Sequence, residues 1–210
     1  MKSAVILISG RGSNLRALLD AKLDLDIRCV VSNRPDAPGL EIAHTQKIKC
    51  KIIDHRQYAS RELFDAALAN SIDRFAPDYV ILAGFLRIFT STFVLHYHQR
   101  MINIHPSLLP AFTGLDTHTR ALAAGVKIHG CTVHFVTPDL DGGPIIIQAA
   151  VPVLPNDTKD SLAQRVLTEE HKIYPKAISW LISDRIHMHG DQVLIKNTHP
   201  NATNLISPWN

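Results

Sequence analysis

Three segments of this chain hold side chains whose types and spacing could handle a proton or a negative charge. The first is Asn103-Ile104-His105-Pro106, at the end of a β-like run, where alternation along a strand puts Asn103 and His105 on one face. A carboxamide beside an imidazole can polarise a carbonyl oxygen while the ring exchanges protons near neutral pH. The second is Leu140-Asp141-Gly142-Gly143-Pro144, whose two glycines let a loop wrap closely on a flat ligand. There the Asp141 carboxylate could orient His105 or a water. Spacing alone also fits a β-hairpin that turns at Asp-Gly-Gly, after a strand with Thr132 and His134 on its polar face.

The third segment, Ile8-Ser9-Gly10-Arg11-Gly12-Ser13-Asn14-Leu15, joins a strand to a helical run. Glycines allow the tight turn, and the N–H groups at a helix start attract an anion. Leu15 stands where the dinucleotide fingerprint needs Gly or Ala, and the Gly-Lys-Ser/Thr ending of a P-loop is missing, so a single phosphate fits better than a pyrophosphate. An ordinary β-α turn capped by Ser13 or Asn14 is the competing reading. A fourth candidate, Glu170, falls on the apolar stripe of a predicted helix, where a carboxylate is costly without a partner or a ligand. His96-x-His98 and His187-x-His189 each offer two metal ligands but no third at a recognisable spacing, so no metal is expected.

The elements that must carry these residues form an α/β pattern. The 210 residues have 46% hydrophobic and 20% charged side chains, enough for one compact domain and unlike a disordered or collagenous chain. The longest apolar runs, Tyr79–Ala83 and Pro144–Ile147, are far too short to span a bilayer. The chain runs from Met-Lys-Ser straight into a strand-like segment, which reads as lacking a signal peptide and points to the cytoplasm. Cys29, Cys50 and Cys131 are widely spaced and expected to be reduced and buried. The net charge of +3 is scattered, so nucleic acid is not an expected partner.

Strands are predicted at Ala4–Ile8, Ile27–Ser32, Cys50–Ile53, Tyr79–Ala83, Met101–Ile104, Cys131–Val136 and Pro144–Val153, with helices in most of the gaps. Lys47, Lys49 and Lys51 alternate as on the solvated face of an edge strand. Ser60 should cap a helix with a stripe of Phe64, Leu68 and Ile72 that ends before Pro77. A long helix from Lys159 to about Trp180 should kink or break at Pro175. Two short strands follow, at Ile186–Met188 and Gln192–Ile195, and the final ten or so residues are expected to be loose.

Five motifs, taken in order, carry a resemblance. They are Ile8 to Leu15, Leu82-Ala83-Gly84-Phe85-x-Arg87-Ile88, Asn103 to Pro110, His129-Gly130 through Asp141-Gly142-Gly143-Pro144, and Glu170-His171-x-Ile173-Tyr174-Pro175. Over about Ala4 to Trp180 they resemble the formyltransferase family, and within it the folate-dependent enzymes that formylate glycinamide ribonucleotide in purine biosynthesis. The resemblance implies a mostly parallel, Rossmann-like twisted sheet flanked by helices, with an antiparallel strand in the C-terminal half. It implies one domain over 1–185, with a phosphate-binding half (1–100) and a catalytic and folate-binding half (101–185), then a tail over 186–210.

By the same resemblance Asn103, His105 and Asp141 are the catalytic trio, and Gly12, Ser13, Asn14 and Glu170 contact the ribonucleotide. Arg87, Ile88, Leu140, Asp141, Gly142 and Gly143 enclose the pterin and linker of 10-formyltetrahydrofolate. The implied partners are these small molecules, with neither nucleic acid, membrane nor metal, and the chain would be a monomer or homodimer. Three positions depart from the pattern: Arg11 between the loop glycines, Leu167 where a polar residue is expected, and Asp116 where His is frequent. Rival readings are a formyltetrahydrofolate deformylase, a methionyl-tRNA formyltransferase and a non-catalytic phosphate sensor. The deformylase is disfavoured by the phosphate loop lying within the first 15 residues and by Pro106, the second rival by chain length, and the sensor by the presence of the whole trio.

Overall fold

The computed structural model describes residues 1–196, so the expected loose terminal residues lie outside it. The chain divides into two compact units, one of residues 1–103 with 135–139 and the other of residues 104–134 with those from 140 on. The main sheet has the order β3-β2-β1-β4-β5-β6-β7.

In the first unit strands and helices alternate: β1 (Lys2–Ile8), α1 (Ser13–Asp20), β2 (Leu25–Ser32), α2 (Gly39–Thr45), β3 (Cys50–Ile52), α3 (Arg61–Asp73), β4 (Tyr79–Leu82), α4 (Ser91–His96) and the start of β5 (Met101–His105). β1 pairs in parallel with both β2 and β4, β2 with β3, and β4 with β5. Successive residues of β1, from Ser3 to Ile8, are all buried, as happens when helices cover both faces of a parallel sheet. The strand order reverses between β1 and β4, since the chain runs outward from β1 through β2 to β3 and then crosses to β4; in open α/β sheets ligands bind beyond the carboxyl ends of strands at such a point.

Local details follow the sequence in part. Ser60 caps α3 by accepting from the Leu63 N–H at 3.3 Å, and Phe64, Leu68 and Ile72 are its buried stripe. Lys47, Lys49 and Lys51 are all exposed, but only Lys51 lies on the edge strand β3; Lys47, at φ +58°, belongs to the turn after α2 and Lys49 precedes the strand, so the three do not share one strand face. Cys29 and Cys131 are buried, whereas Cys50, on that edge, is only half-buried. The expected cap on α1 by Ser13 or Asn14 is absent. The capping position is Gly12, at φ +76°, and no side chain bonds the first turn. A Cβ on Gly12 would lie 2.7 Å from the Gly39 Cα, and the Gly39 N–H donates to the Gly10 carbonyl at 3.0 Å. Close backbone packing therefore sets this turn, and its N-cap makes no side-chain cap hydrogen bond.

The second unit contains α5 (Thr117–Ala123), β6 (Ile128–Phe135, up to His134), β7 (Ile145–Pro152), α6 (Lys159–Ile182), β8 (Ile186–His189) and β9 (Gln192–Ile195). β6 and β7 are antiparallel, and β8 and β9 form the expected two-stranded ladder. β6 starts at Ile128 rather than Cys131, and Gly130 within it lets β7 approach closely; a Cβ there would overlap the Ala149 carbonyl oxygen. Leu162, Val166, Ile173, Ala177 and Leu181 form the buried stripe of α6. The predicted break at Pro175 does not occur. Pro175 removes only the bond to the His171 carbonyl, and it is buried with Ile173, Tyr174, Ala177 and Ile178, whose packing on both sides keeps the helix continuous.

On β6 the His129 ring is 1% exposed, edge-on to His118 with centroids 5.3 Å apart and to Phe112 at 5.8 Å. Burial, with the neighbouring His118, pushes its pKa from 6.5 down to about 4. Burial shifts His118 and His171 the same way.

Replacing Gly130 by Ala should cost about 2 kcal/mol or more by driving β7 off β6, seen as a lowered urea midpoint; an unchanged midpoint would refute the close-approach account. Because His129 takes up its proton at lower pH folded than unfolded, stability should fall as pH drops from about 6.5 to about 4. Between pH 7 and pH 5 His129 alone should account for on the order of 2 kcal/mol, and His129→Phe should flatten the urea-midpoint profile by that amount.

Candidate active site

In the first unit, two loops leave the carboxyl ends of the adjacent strands β1 and β4. Ser9 ties them together: its N–H donates to the Gly84 carbonyl at 3.1 Å, and its hydroxyl accepts from the Leu86 N–H at 2.8 Å. One loop carries Gly12, Ser13 and Asn14 into α1, where uncapped N–H groups and the positive helix end suit an anion. Ser13 is half-buried and Asn14 buried, while Arg11 is exposed.

The other loop carries Arg87 and Ile88. Ile88 is exposed, and the Arg87 guanidinium lies over the Phe64 ring at 5.8 Å. The far end of this loop is held by Asp65, whose carboxylate accepts from the Thr90 N–H at 2.6 Å. Burial raises the Asp65 pKa against the pull of those hydrogen bonds. Asn103, half-buried, stands on β5 two residues before His105.

In the second unit the His105 side chain is 7% exposed and that of Asp141 11%. The Asp141 carboxylate lies 3.5 Å from His105 Nδ1 and 4.0 Å from His134 Nε2. The other edge of the His105 ring, Nε2, is 3.0 Å from the Phe112 carbonyl. A carbonyl only accepts, so this nitrogen carries the proton. Asp141 adopts φ +53°, and one of its oxygens accepts the Gly114 N–H at 2.7 Å. The ring is thus fixed between a carboxylate and a carbonyl in a buried place, an arrangement that can donate a hydrogen bond from Nε2 and place a carboxylate beside Nδ1 to balance a second proton on the ring.

The loop between β6 and β7 makes the hairpin connection and also presents Asp141, so the two sequence readings are both met. Leu140 and Gly142 are exposed on it and Gly143 is buried. Glu170 is buried on α6. Burial, reinforced by the Glu170 charge, raises the Tyr174 pKa, and the same causes push the Cys131 thiol up to about 12. Leu167 is half-buried one turn before Glu170. Asp116, at φ +54°, precedes α5 without capping it and pairs with Lys159 at 3.2 Å on the surface.

Sequence reading missed Phe112 and Gly114, which act through main-chain groups that leave no side-chain signature. It missed Ser9 and Asp65 as anchors as well. A carboxylate on the apolar stripe of α3 was the available signal for Asp65. Among the described residues no cluster of three or more His, Cys, Asp or Glu side chains could hold a metal ion.

Comparison with known proteins places the chain. The formyl transferase family pattern matches residues 1–178. The phosphoribosylglycinamide formyltransferase of Escherichia coli K12 is 50% identical over 189 residues, covering 88% of this chain and 89% of the relative. A trifunctional purine biosynthetic protein of Drosophila melanogaster is 45% identical over 87% of this chain, which spans 14% of that larger protein. The crystal structure of glycinamide ribonucleotide transformylase 1 from Symbiobacterium toebii superposes with a TM-score of 0.90 at 46% identity, covering 93% of this chain and 94% of the other. The chain belongs to the formyl transferase family, among its phosphoribosylglycinamide formyltransferases.

Proposed function

We propose that this chain transfers the formyl group of 10-formyltetrahydrofolate to the glycinamide amine of N1-(5-phospho-D-ribosyl)glycinamide, in purine biosynthesis. The observation that carries the reading is the buried His105–Asp141 pair, with the carboxylate 3.5 Å from Nδ1 and the proton on Nε2. The amine nitrogen attacks the formyl carbon, and the formyl oxygen becomes anionic in a tetrahedral intermediate. Asn103 donates to that oxygen from its amide. His105 turns the same Nε2–H from the Phe112 carbonyl to the oxygen, and Asp141, beside Nδ1, balances the positive charge that the ring takes on with a second proton. As the bond to the folate nitrogen breaks, the proton given up by the amine is returned to that nitrogen through the imidazole. Tetrahydrofolate and the formylated ribonucleotide leave, and no bond to the protein forms.

The uncapped start of α1 supports a phosphate role for Gly12, Ser13 and Asn14, with Glu170 contacting the same ribonucleotide. Arg87, Ile88, Leu140, Asp141, Gly142 and Gly143 take the pterin and its linker, in line with the exposed apolar Ile88 and Leu140. In this reading 1–100 is the phosphate-binding half and 101–185 the catalytic half, with 186–210 a tail. Both partners are small molecules, with neither nucleic acid nor membrane involved. The chain works in the cytoplasm as a monomer or homodimer, without a metal. No helix among the described residues is long and apolar enough to cross a membrane.

Loss of the folate formyl group, followed with and without the ribonucleotide, tests the reaction. Turnover only in the presence of the ribonucleotide is expected; turnover without it would mean hydrolysis, and none in either would mean a phosphate-ligand sensor. Asn103→Ala and His105→Ala should each lower kcat on the order of 10²–10³-fold with an unchanged melting temperature, the usual effect of losing an oxyanion donor. Near wild-type turnover in either would remove that residue from the mechanism.

A further inference from the structure

Beneath the loop that follows His105, a group of polar contacts is not used by the chemistry above. Thr132 is fully buried on β6 and faces Gln148 across the antiparallel ladder with β7. Its hydroxyl donates to the Ser107 carbonyl at 2.7 Å and accepts from the Leu109 N–H and from Gln148 Nε2, both at 3.0 Å. One donor and two lone pairs are all a hydroxyl has, so none is spare. Gln148 Nε2 also donates to the Leu109 carbonyl at 2.9 Å. Both main-chain polar groups of Leu109 are thus held by one cross-strand pair.

From this root the loop closes on itself. The Ser107 hydroxyl donates to the Ala111 carbonyl at 2.6 Å, and Phe112, at φ +55°, turns its carbonyl onto His105 Nε2. Two residues further on, the Gly114 N–H holds Asp141. The Phe112 carbonyl at one edge of the His105 ring, and the Gly114 N–H that holds the Asp141 carboxylate at the other, therefore belong to the stretch of chain that follows the anchor at Thr132 and Gln148.

We propose that Thr132 and Gln148 are positioning residues for His105, holding the 106–112 loop so that the Phe112 carbonyl keeps the proton on Nε2. The kinetic consequence rests on the catalytic role assigned to His105 above; the tautomer rests on the hydrogen bonds alone. Without the hydroxyl, the Leu109 N–H and Ser107 carbonyl would lie buried and unpaired. The loop must shift to satisfy them, and it carries the Phe112 carbonyl with it. A displacement of about 1 Å at a reacting group can cost on the order of 10²-fold in rate.

Thr132→Val keeps the shape of the side chain and removes only its hydroxyl. It should lower kcat about tenfold or more while both KM values stay within about twofold, and Thr132→Ser should restore kcat. A second readout does not depend on turnover. In proton–nitrogen correlation spectra the His105 Nε2–H signal, protected from exchange in the parent, should exchange rapidly in Thr132→Val and regain protection in Thr132→Ser. If the parent transfers no formyl group yet the signal follows the hydroxyl, the functional reading fails and the positioning role stands. A Thr132→Val protein that keeps the protected signal, or that changes KM and leaves kcat intact, overturns the proposal. Should Thr132→Val fail to fold, Gln148→Met removes the two Nε2 donors and carries the same expectations and the same refutations.

Discussion

An imidazole with an acceptor against each edge can neither rotate nor exchange its tautomer freely, and His105 is held in this way by the Asp141 carboxylate and the Phe112 carbonyl. The constraint works only in a place from which water is largely excluded, since solvent would otherwise compete for both edges. Several features of the second unit serve that condition. β5 buries the ring, the left-handed backbone at Asp141 brings a carboxylate back toward it, and Gly114 holds that carboxylate by a main-chain N–H. Each acceptor is itself fixed, so the ring inherits its orientation from the loops around it.

The first unit differs in that main-chain geometry, more than side chains, shapes its most distinctive turn. α1 begins at a glycine, and its first turn has neither a side-chain cap nor an acidic residue, so the helix end offers its N–H groups outward. Ser9 fastens this turn to the loop that carries Arg87 and Ile88, by two hydrogen bonds across the carboxyl ends of β1 and β4. The two loops therefore share one attachment, where the strand order of the parallel sheet reverses.

The sequence revealed the strands and helices wherever burial followed a simple period. The α6 stripe from Leu162 to Leu181 and the α3 stripe of Phe64, Leu68 and Ile72 are examples. It failed where backbone packing overrode local propensity. Gly12 replaced the expected side-chain cap, β6 began at Ile128 and ran through Gly130 instead of starting at Cys131, and Pro175 stayed within a helix held by its buried neighbours. The His105–Asp141 pairing could be anticipated from residue types, whereas its partners Phe112 and Gly114 could not, because a carbonyl or an N–H is present at nearly every residue. Spacing left the 136–144 loop divided between a plain hairpin and a functional loop, and the one backbone both joins the antiparallel strands and carries Asp141 beside His105.

The contact between Gly12 and Gly39 reaches beyond local geometry. Because the Gly39 N–H is bonded to Gly10 and the two glycine Cα atoms are packed against each other, the start of α2 acts as a stop for the loop ahead of α1. The connection between β2 and α2, over 33–38, is thereby measured against that loop. An inserted or deleted residue there would shift the stop and reshape the turn, although the connection itself lies on a different strand. Length changes between α1 and β2 meet no such gauge, so natural drift in loop size should gather at 21–24 and spare 33–38.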